Sequence, residues 1–278
     1  MTSILFGTAS RDLYLDRGVM LPGGGVLNMA YHWAKAGKKF SLHTRIGSDD
    51  KKLFTEFLDR NKIPYLRGSL VAPGESSSID IRIGQDRQPS MDNYVDGVWA
   101  SVHLTPEEHA ELADASHWHT VLVEGAIAEL GRLSRTGALA HVFVSADFLG
   151  FRHYTTDRFR ETLRQIDLAF IGWPGGRDDR GLAEVRQSVF DARKVAVITL
   201  GEQGVLVFDG KRQFDTHYPT EAVPVAGTTI GCGDAFIAHS LLAIHDGAEL
   251  AEAIAVGQAA GAAATAWELP LPNEAYRG

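Results

Sequence analysis

Apolar residues run consecutively at Ile4-Leu5-Phe6, Val121-Leu122-Val123, Val142-Phe143-Val144, Leu168-Ala169-Phe170-Ile171 and Val195-Ala196-Val197-Ile198. Strands apolar at successive positions bury both faces, as in a parallel sheet covered by helices on either side. Between these runs, apolar residues recur at spacings of three and four. Phe159, Leu163 and Ile166 precede the Leu168 run, and Leu182, Val185 and Val189 precede the Val195 run. Strand and helix in alternation predict βαβ units and a doubly wound, mostly parallel α/β sheet.

Residues 76–83 follow another rule. Ile79, Ile81 and Ile83 alternate with Ser78, Asp80 and Arg82, the period of a strand with one covered face. With residues 64–70 this strand is expected to form a small β sheet outside the main fold, and Gly84-Gln85-Asp86 is the turn after it. Segments near 8–22 and 64–98 are thus assigned to a lid on a single domain spanning 1–278. The last helix, near 250–266, is alanine-rich and apolar almost all round, which predicts burial.

A length of 278 residues suits one such domain with a small appendage. Apolar and charged fractions of 45% and 22% are those of a soluble globular chain. The formal net charge of -8 argues against nucleic acid as the main partner, yet a local site can still be positive enough for a phosphate. Cys232 is the single cysteine, which rules out an intramolecular disulfide and a cysteine-based zinc centre and fits a reducing cytoplasm. The first residues offer a strand and no basic stretch, so they do not read as an export signal. No apolar run approaches the ~18 residues of a membrane span.

The chemistry concentrates in Gly231-Cys232-Gly233-Asp234-Ala235-Phe236. A helix follows, with Phe236, Ile237, Leu241 and Ile244 on one face, so the amides of 231–233 would point out of a helix N-terminus. Such amides suit the charge of a transferring phosphoryl group. Asp234, in the first turn, could take a proton from a substrate hydroxyl. Alone, the hexapeptide fits a glycine-rich turn with a capping Asp equally well.

Thr229 and 231–236 match the C-terminal signature of the ribokinase-like (PfkB) carbohydrate kinase family, Asp-Thr-x-Gly-Ala-Gly-Asp-x-Phe, with Cys232 in the Ala position. Pro22-Gly23-Gly24-Gly25-Val26-Leu27-Asn28-Met29-Ala30 resembles the family's Gly-Gly-x-x-x-Asn-x-Ala, and Ile46-Gly47-Ser48-Asp49 its Val-Gly-x-Asp. Thr199-Leu200-Gly201-Glu202-Gln203-Gly204 resembles its Thr-x-Gly-x-x-Gly. Singly, these fit a helix cap and a β-turn; their order along the chain carries the resemblance. It implies Asp234 as catalytic base with Gly231, Cys232 and Gly233 as an anion hole. It further implies Asp12, Gly24 and Asn28 on the substrate, Thr199, Gly201 and Gly204 along ATP, and magnesium with the phosphates. In relatives the lid pairs with that of a second subunit, which implies a homodimer and agrees with an exposed sheet edge. Tyr94-Val95-Asp96-Gly97-Val98 and the stretch from Asp147 onward are similar to the fructoselysine 6-kinase branch, whose acceptor is an amino-linked ketose.

The chain departs from the pattern at two places. Thr228 stands where the family has the Asp that helps hold a monovalent cation, which removes the ground for expecting cation dependence. The family's magnesium-linked Asn-x-x-Glu has no counterpart in Ile171-Gly172-Trp173-Pro174-Gly175-Gly176, so the metal ligands are unknown. His117-Trp118-His119 places two histidines on one strand face, a pair that lacks a third ligand. Asp147 ends a strand, where it would line the nucleotide side or cap the next helix. The expected function is ATP-dependent phosphorylation of a hydroxyl on a small, sugar-like acceptor in the cytoplasm. The alternatives are a nucleoside kinase of the family and a sugar-binding protein that has lost efficient catalysis.

Overall fold

The computed structural model describes residues 2–151 and 154–277. In chain order the elements are β1 (Thr2–Phe6), β2 (Ser10–Tyr14), β3 (Val19–Gly23), α1 (Gly25–Lys35), β4 (Phe40–His43), β5 (Ile46–Gly47), α2 (Lys51–Arg60), α3 (Arg67–Leu70), β6 (Val71–Ala72), β7 (Ser77–Ile83), β8 (Pro89–Val95), α4 (Pro106–Ala113), β9 (Ala115–Val121), α5 (Glu124–Arg135), β10 (Phe143–Asp147), α6 (Thr156–Leu163), β11 (Leu168–Gly172), α7 (Gly181–Ala192), β12 (Val195–Thr199), β13 (Val205–Asp209), β14 (Phe214–Tyr218), α8 (Cys232–His245) and α9 (Leu250–Ala264).

The main sheet has the order β14-β13-β12-β11-β10-β9-β1-β4. It is parallel from β12 to β4, with β13 and β14 antiparallel at one edge. Successive residues of its strands feed opposite cores. Ile4, Phe6, Ala169, Ile171, Ala196 and Ile198 pack with α5, α6 and α7, whereas Leu5, Leu168, Phe170 and Val197 pack with α1, α2 and α8. Each such Leu or Phe, fully covered, contributes about 2 kcal/mol of transfer free energy. That two-sided burial explains the unbroken apolar runs.

The Val121-Leu122-Val123 run is not a strand of its own. β9 ends at Val121, and Val123 already caps α5. The strand lies mostly upstream and includes His117 and His119, whose alternation reads as one strand face although the apolar run misses it.

A second sheet, β3-β2-β7-β8, stands apart. Ile81 is buried in it with Ile79 and Ile83 packed alongside, as the alternation predicts. Residues 64–70 do not join it, contrary to expectation. Pro64 O accepts Leu42 N at 3.0 Å on the main sheet's edge, and α3 follows. The missing partner is β8, whose alternation is broken by Asn93 at φ 52 and a register shift opposite Asp80. Among the described residues no helix is long and apolar enough to cross a membrane.

The last helix also corrects its expectation. Ala253, Ile254, Gly257 and Ala264 of α9 are buried, but Val256 is 40% exposed and several alanines face outward. Alanine carries too little apolar surface to demand burial, so an alanine-rich helix tolerates a bare face.

Candidate active site

The site forms at the C-terminal edge of the parallel strands, the end where open α/β sheets hold ligands. The chain leaves β3 through glycines and enters α1. Gly24 sits at φ 102, and a Cβ there would lie 2.5 Å from Thr8 O. Its neighbours are needed for closeness instead: a Cβ on Gly23 would collide with the Asp12 carboxylate, and one on Gly25 would lie 2.9 Å from Asp234 Oδ1 and 3.3 Å from Val121 Cγ2. This glycine run therefore lies between two acids, over the end of β9.

One turn into α1, buried Asn28 donates from Nδ2 to Asp234 Oδ2 at 2.7 Å. On β2, Ser10, Asp12 and Tyr14 share the covered face, and Ser10 Oγ donates to Asp12 Oδ1 at 2.6 Å. Asp147, at the end of β10, is buried and accepts Leu149 N at 2.8 Å.

These carboxyls are held away from the ordinary acid range. Burial pushes Asp12 to about 7, aided by the charge of Asp234 and opposed by the Ser10 bond. Burial, then Asp234, pushes Asp147 to about 7. Asp234 itself is pushed by burial to about 6 against the Asn28 bond. Perturbation by desolvation and a neighbouring charge, gathered in one place, makes this the candidate functional site.

Asp234 stands in the first turn of α8, after Gly231 at φ 81, where a Cβ would sit 2.6 Å from Pro270 O. The first amides of a helix lack intrahelical acceptors. Of the predicted anion-hole amides, Cys232 N already donates to Thr229 O at 3.2 Å. Gly233 is exposed, and a Cβ there would meet nothing within 4 Å, so a ligand can approach this backbone more closely. Burial, then Asp234, pushes the Cys232 thiol up to about 12, so it is not a nucleophile.

The turn after β12 lies on the same sheet edge, two strands beyond Asp147 and so about 10 Å away. Gly201 (φ 58) and Gly204 (φ 87) shape it, and Thr199 Oγ1 donates to Ile171 O at 3.4 Å. The loop after β11 buttresses it, with Trp173 N donating to Thr199 O (3.0 Å) and Arg177 N to Gln203 Oε1 (2.9 Å). The paired histidines lie elsewhere: His117 Nε2 and His119 Nδ1 both meet Ser145 Oγ, at 2.8 and 2.7 Å. Among the described residues no three His, Cys, Asp or Glu side chains are grouped to hold a metal.

Two further residues lie near enough to feel the charges of Asp12 and Asp234. Tyr14 is 2% exposed, and its hydroxyl has no partner among the described residues. Tyr276 packs against the cluster of Tyr14, Ile81, Ile230 and Leu269, and burial followed by the charges of Asp12 and Asp234 raises its phenol. Tyr14 was within reach of sequence reasoning, because a strand returns to the same face two residues after Asp12. Tyr276 carried no local signal.

Residues 6–268 match the family described as pfkB family carbohydrate kinase. The chain belongs to that family and is a kinase. It is 28% identical over 266 residues to a cytidine kinase of Thermococcus kodakarensis, covering 91% of this chain and 92% of the relative. It is 26% identical over 254 residues to a fructoselysine 6-kinase of Escherichia coli, covering 90% and 92%. Its fold matches that of an adenosine kinase from Sinorhizobium meliloti with a TM-score of 0.80 at 19% identity, covering 99% and 97%.

Proposed function

We propose that this kinase transfers the γ-phosphoryl group of ATP to a hydroxyl of a sugar or sugar derivative, with Asp234 as the base. The observation that carries this is the carboxylate at a helix N-terminus, bonded to Asn28 and set against the glycine run and Asp12. Asp12 and Asn28 hold acceptor hydroxyls, Asp234 takes the proton of the attacking one, and the Gly233 amide meets charge on the phosphoryl group. ATP lies along 199–204. Magnesium would arrive on the nucleotide, bound mainly by phosphates and water.

The groups around Asp234 are acidic or neutral: Asp12, Asp147, Asn28, Tyr14 and Tyr276. A phosphorylated acceptor would be repelled by them, while a neutral polyol or an amine-bearing ketose such as a fructosamine would not. The rings of Tyr14 and Tyr276 support a second reading, a nucleoside acceptor whose base lies against them. ADP release from ATP and magnesium across ketoses, fructosamines and nucleosides separates the two readings. Asp234→Asn should lower kcat by 10²- to 10⁴-fold, the worth of a general base. Turnover that survives the substitution would remove Asp234 from this role.

The small sheet acts as the lid over the acceptor and as the contact with a second copy. Met20, Met91 and Val95 on its outer strands are 47, 50 and 55% exposed. The expected species is a dimer by light scattering, reduced to a monomer by Met91→Lys.

A further inference from the structure

The loop that leads into α8 is tied to the tip of the small sheet. The β7–β8 hairpin closes through Arg87 N to Gly84 O (3.0 Å) and Gly84 N to Gln88 O (2.9 Å). The Arg87 carbonyl at that tip accepts two bonds from the loop, Thr228 Oγ1 at 3.0 Å and Thr229 N at 3.2 Å. Thr229 Oγ1 adds a bond to Gln88 Oε1 at 2.7 Å. Thr228 is wholly buried, although its partner's residue is exposed. Its oxygen also accepts Ile230 N at 3.3 Å, and its amide donates to Trp267 O at 2.8 Å. Thr229 O then accepts Cys232 N at the start of α8, and Ile230 packs with Tyr14 and Ile81 beneath the small sheet. An unbroken set of contacts thus runs from the hairpin tip through 228–230 to the amides in front of Asp234.

We infer that Thr228 is a positioning residue, whose hydroxyl couples closure of the small sheet to the placement of the α8 N-terminus. The inference rests on the kinase reading of the site. An open hairpin removes the acceptors of Thr228 Oγ1 and Thr229 N, and the loop that sets the Gly233 amide is freed. Acceptor binding beneath the sheet then assembles the phosphoryl site, and ATP is not committed to water before an acceptor is present.

The test compares Thr228→Val, which keeps the shape and loses the hydroxyl, with Thr228→Ser, which keeps the hydroxyl. Gln88→Ala removes a bond from the exposed side and cannot disturb the core. Thr228→Val should lower kcat with the best acceptor about tenfold, the worth of one buried hydrogen bond, and Thr228→Ser should restore it to within about threefold. Amide exchange is followed in the same proteins without acceptor. Both Thr228→Val and Gln88→Ala should speed exchange at 229–234 as well as at 84–88. Faster exchange at the tip alone, or an unchanged kcat in Thr228→Val, overturns the coupling. If the unaltered protein turns over no acceptor, the kinase assignment of the site fails, and the exchange data still decide whether tip and loop are coupled.

Discussion

Asp234 must be ionised to accept a proton, and its surroundings oppose this, lifting its carboxyl to about 6 by burial. A base is active above its own pKa, so kcat/KM should fall about tenfold per pH unit on the acid side of that value. Asp12 and Asp147, each pushed to about 7, titrate in the same interval and spread the ascending limb between about 6 and 7. A pH profile with its ascending limb near 4 would show a base in water-like surroundings and sink the assignment. Tyr14 supplies a second prediction. Its buried hydroxyl has no partner among the described residues and gains one when an acceptor bonds to it. Tyr14→Phe should raise the acceptor KM about five- to tenfold without lowering Tm; a lower Tm with unchanged KM would make Tyr14 purely structural. Motif residues such as Asn28 were legible because helix entry after a glycine run fixes where the side chain points. Tyr276 was not, since only tertiary packing brings it to the Tyr14 cluster.

Among the elements, those buried on both faces were the easiest to read, because continuous apolar sequence leaves a strand few alternatives. β9 was read short in its apolar run for the opposite reason: its buried histidines each turn one ring nitrogen to Ser145 Oγ, a contact no one-dimensional pattern reports. β8 was missed because a left-handed Asn93 resets its alternation. The pairing of α8 with α9 was equally hidden, and it bears on the site. A Cβ on Gly257 would collide with Ser240 Oγ and stand 2.8 Å from Phe236 O, two residues after Asp234. Gly257→Val should therefore destabilise the protein by about 1–3 kcal/mol through overpacking. It should also lower kcat as α8 is displaced. A Tm equal to that of the parent would mean that α9 is free to move away.

At the scale of the whole molecule, the titratable groups divide into two opposing sets. Asp12, Asp147 and Asp234 are raised in the fold, so their contribution to stability is fully present below about 4 and is lost as pH rises through 6 to 7. His32 and His245, lowered by burial to about 4, and His119, lowered to about 3, act the other way. Their contribution is present above 6.5 and is lost as pH falls through those values. The two sets offset each other in mildly acid solution, and above neutrality only the acids weigh against the fold. Asp234→Asn keeps an oxygen for Asn28 Nδ2 and removes one of those charges. Each tenfold change in acidity corresponds to about 1.4 kcal/mol. The Asn protein should be more stable by on the order of 2 kcal/mol at about pH 8, less whatever solvent at the half-buried carboxyl screens. The gain should vanish below about pH 4. Thermal melts of both proteins across that range check the sign. A variant that melts lower at about pH 8 would mean that the ionised carboxylate is welcomed by the fold, and the raised pKa on which the base assignment leans would have to be abandoned. A variant that is inactive yet melts higher would identify Asp234 as a group kept for chemistry at the expense of stability.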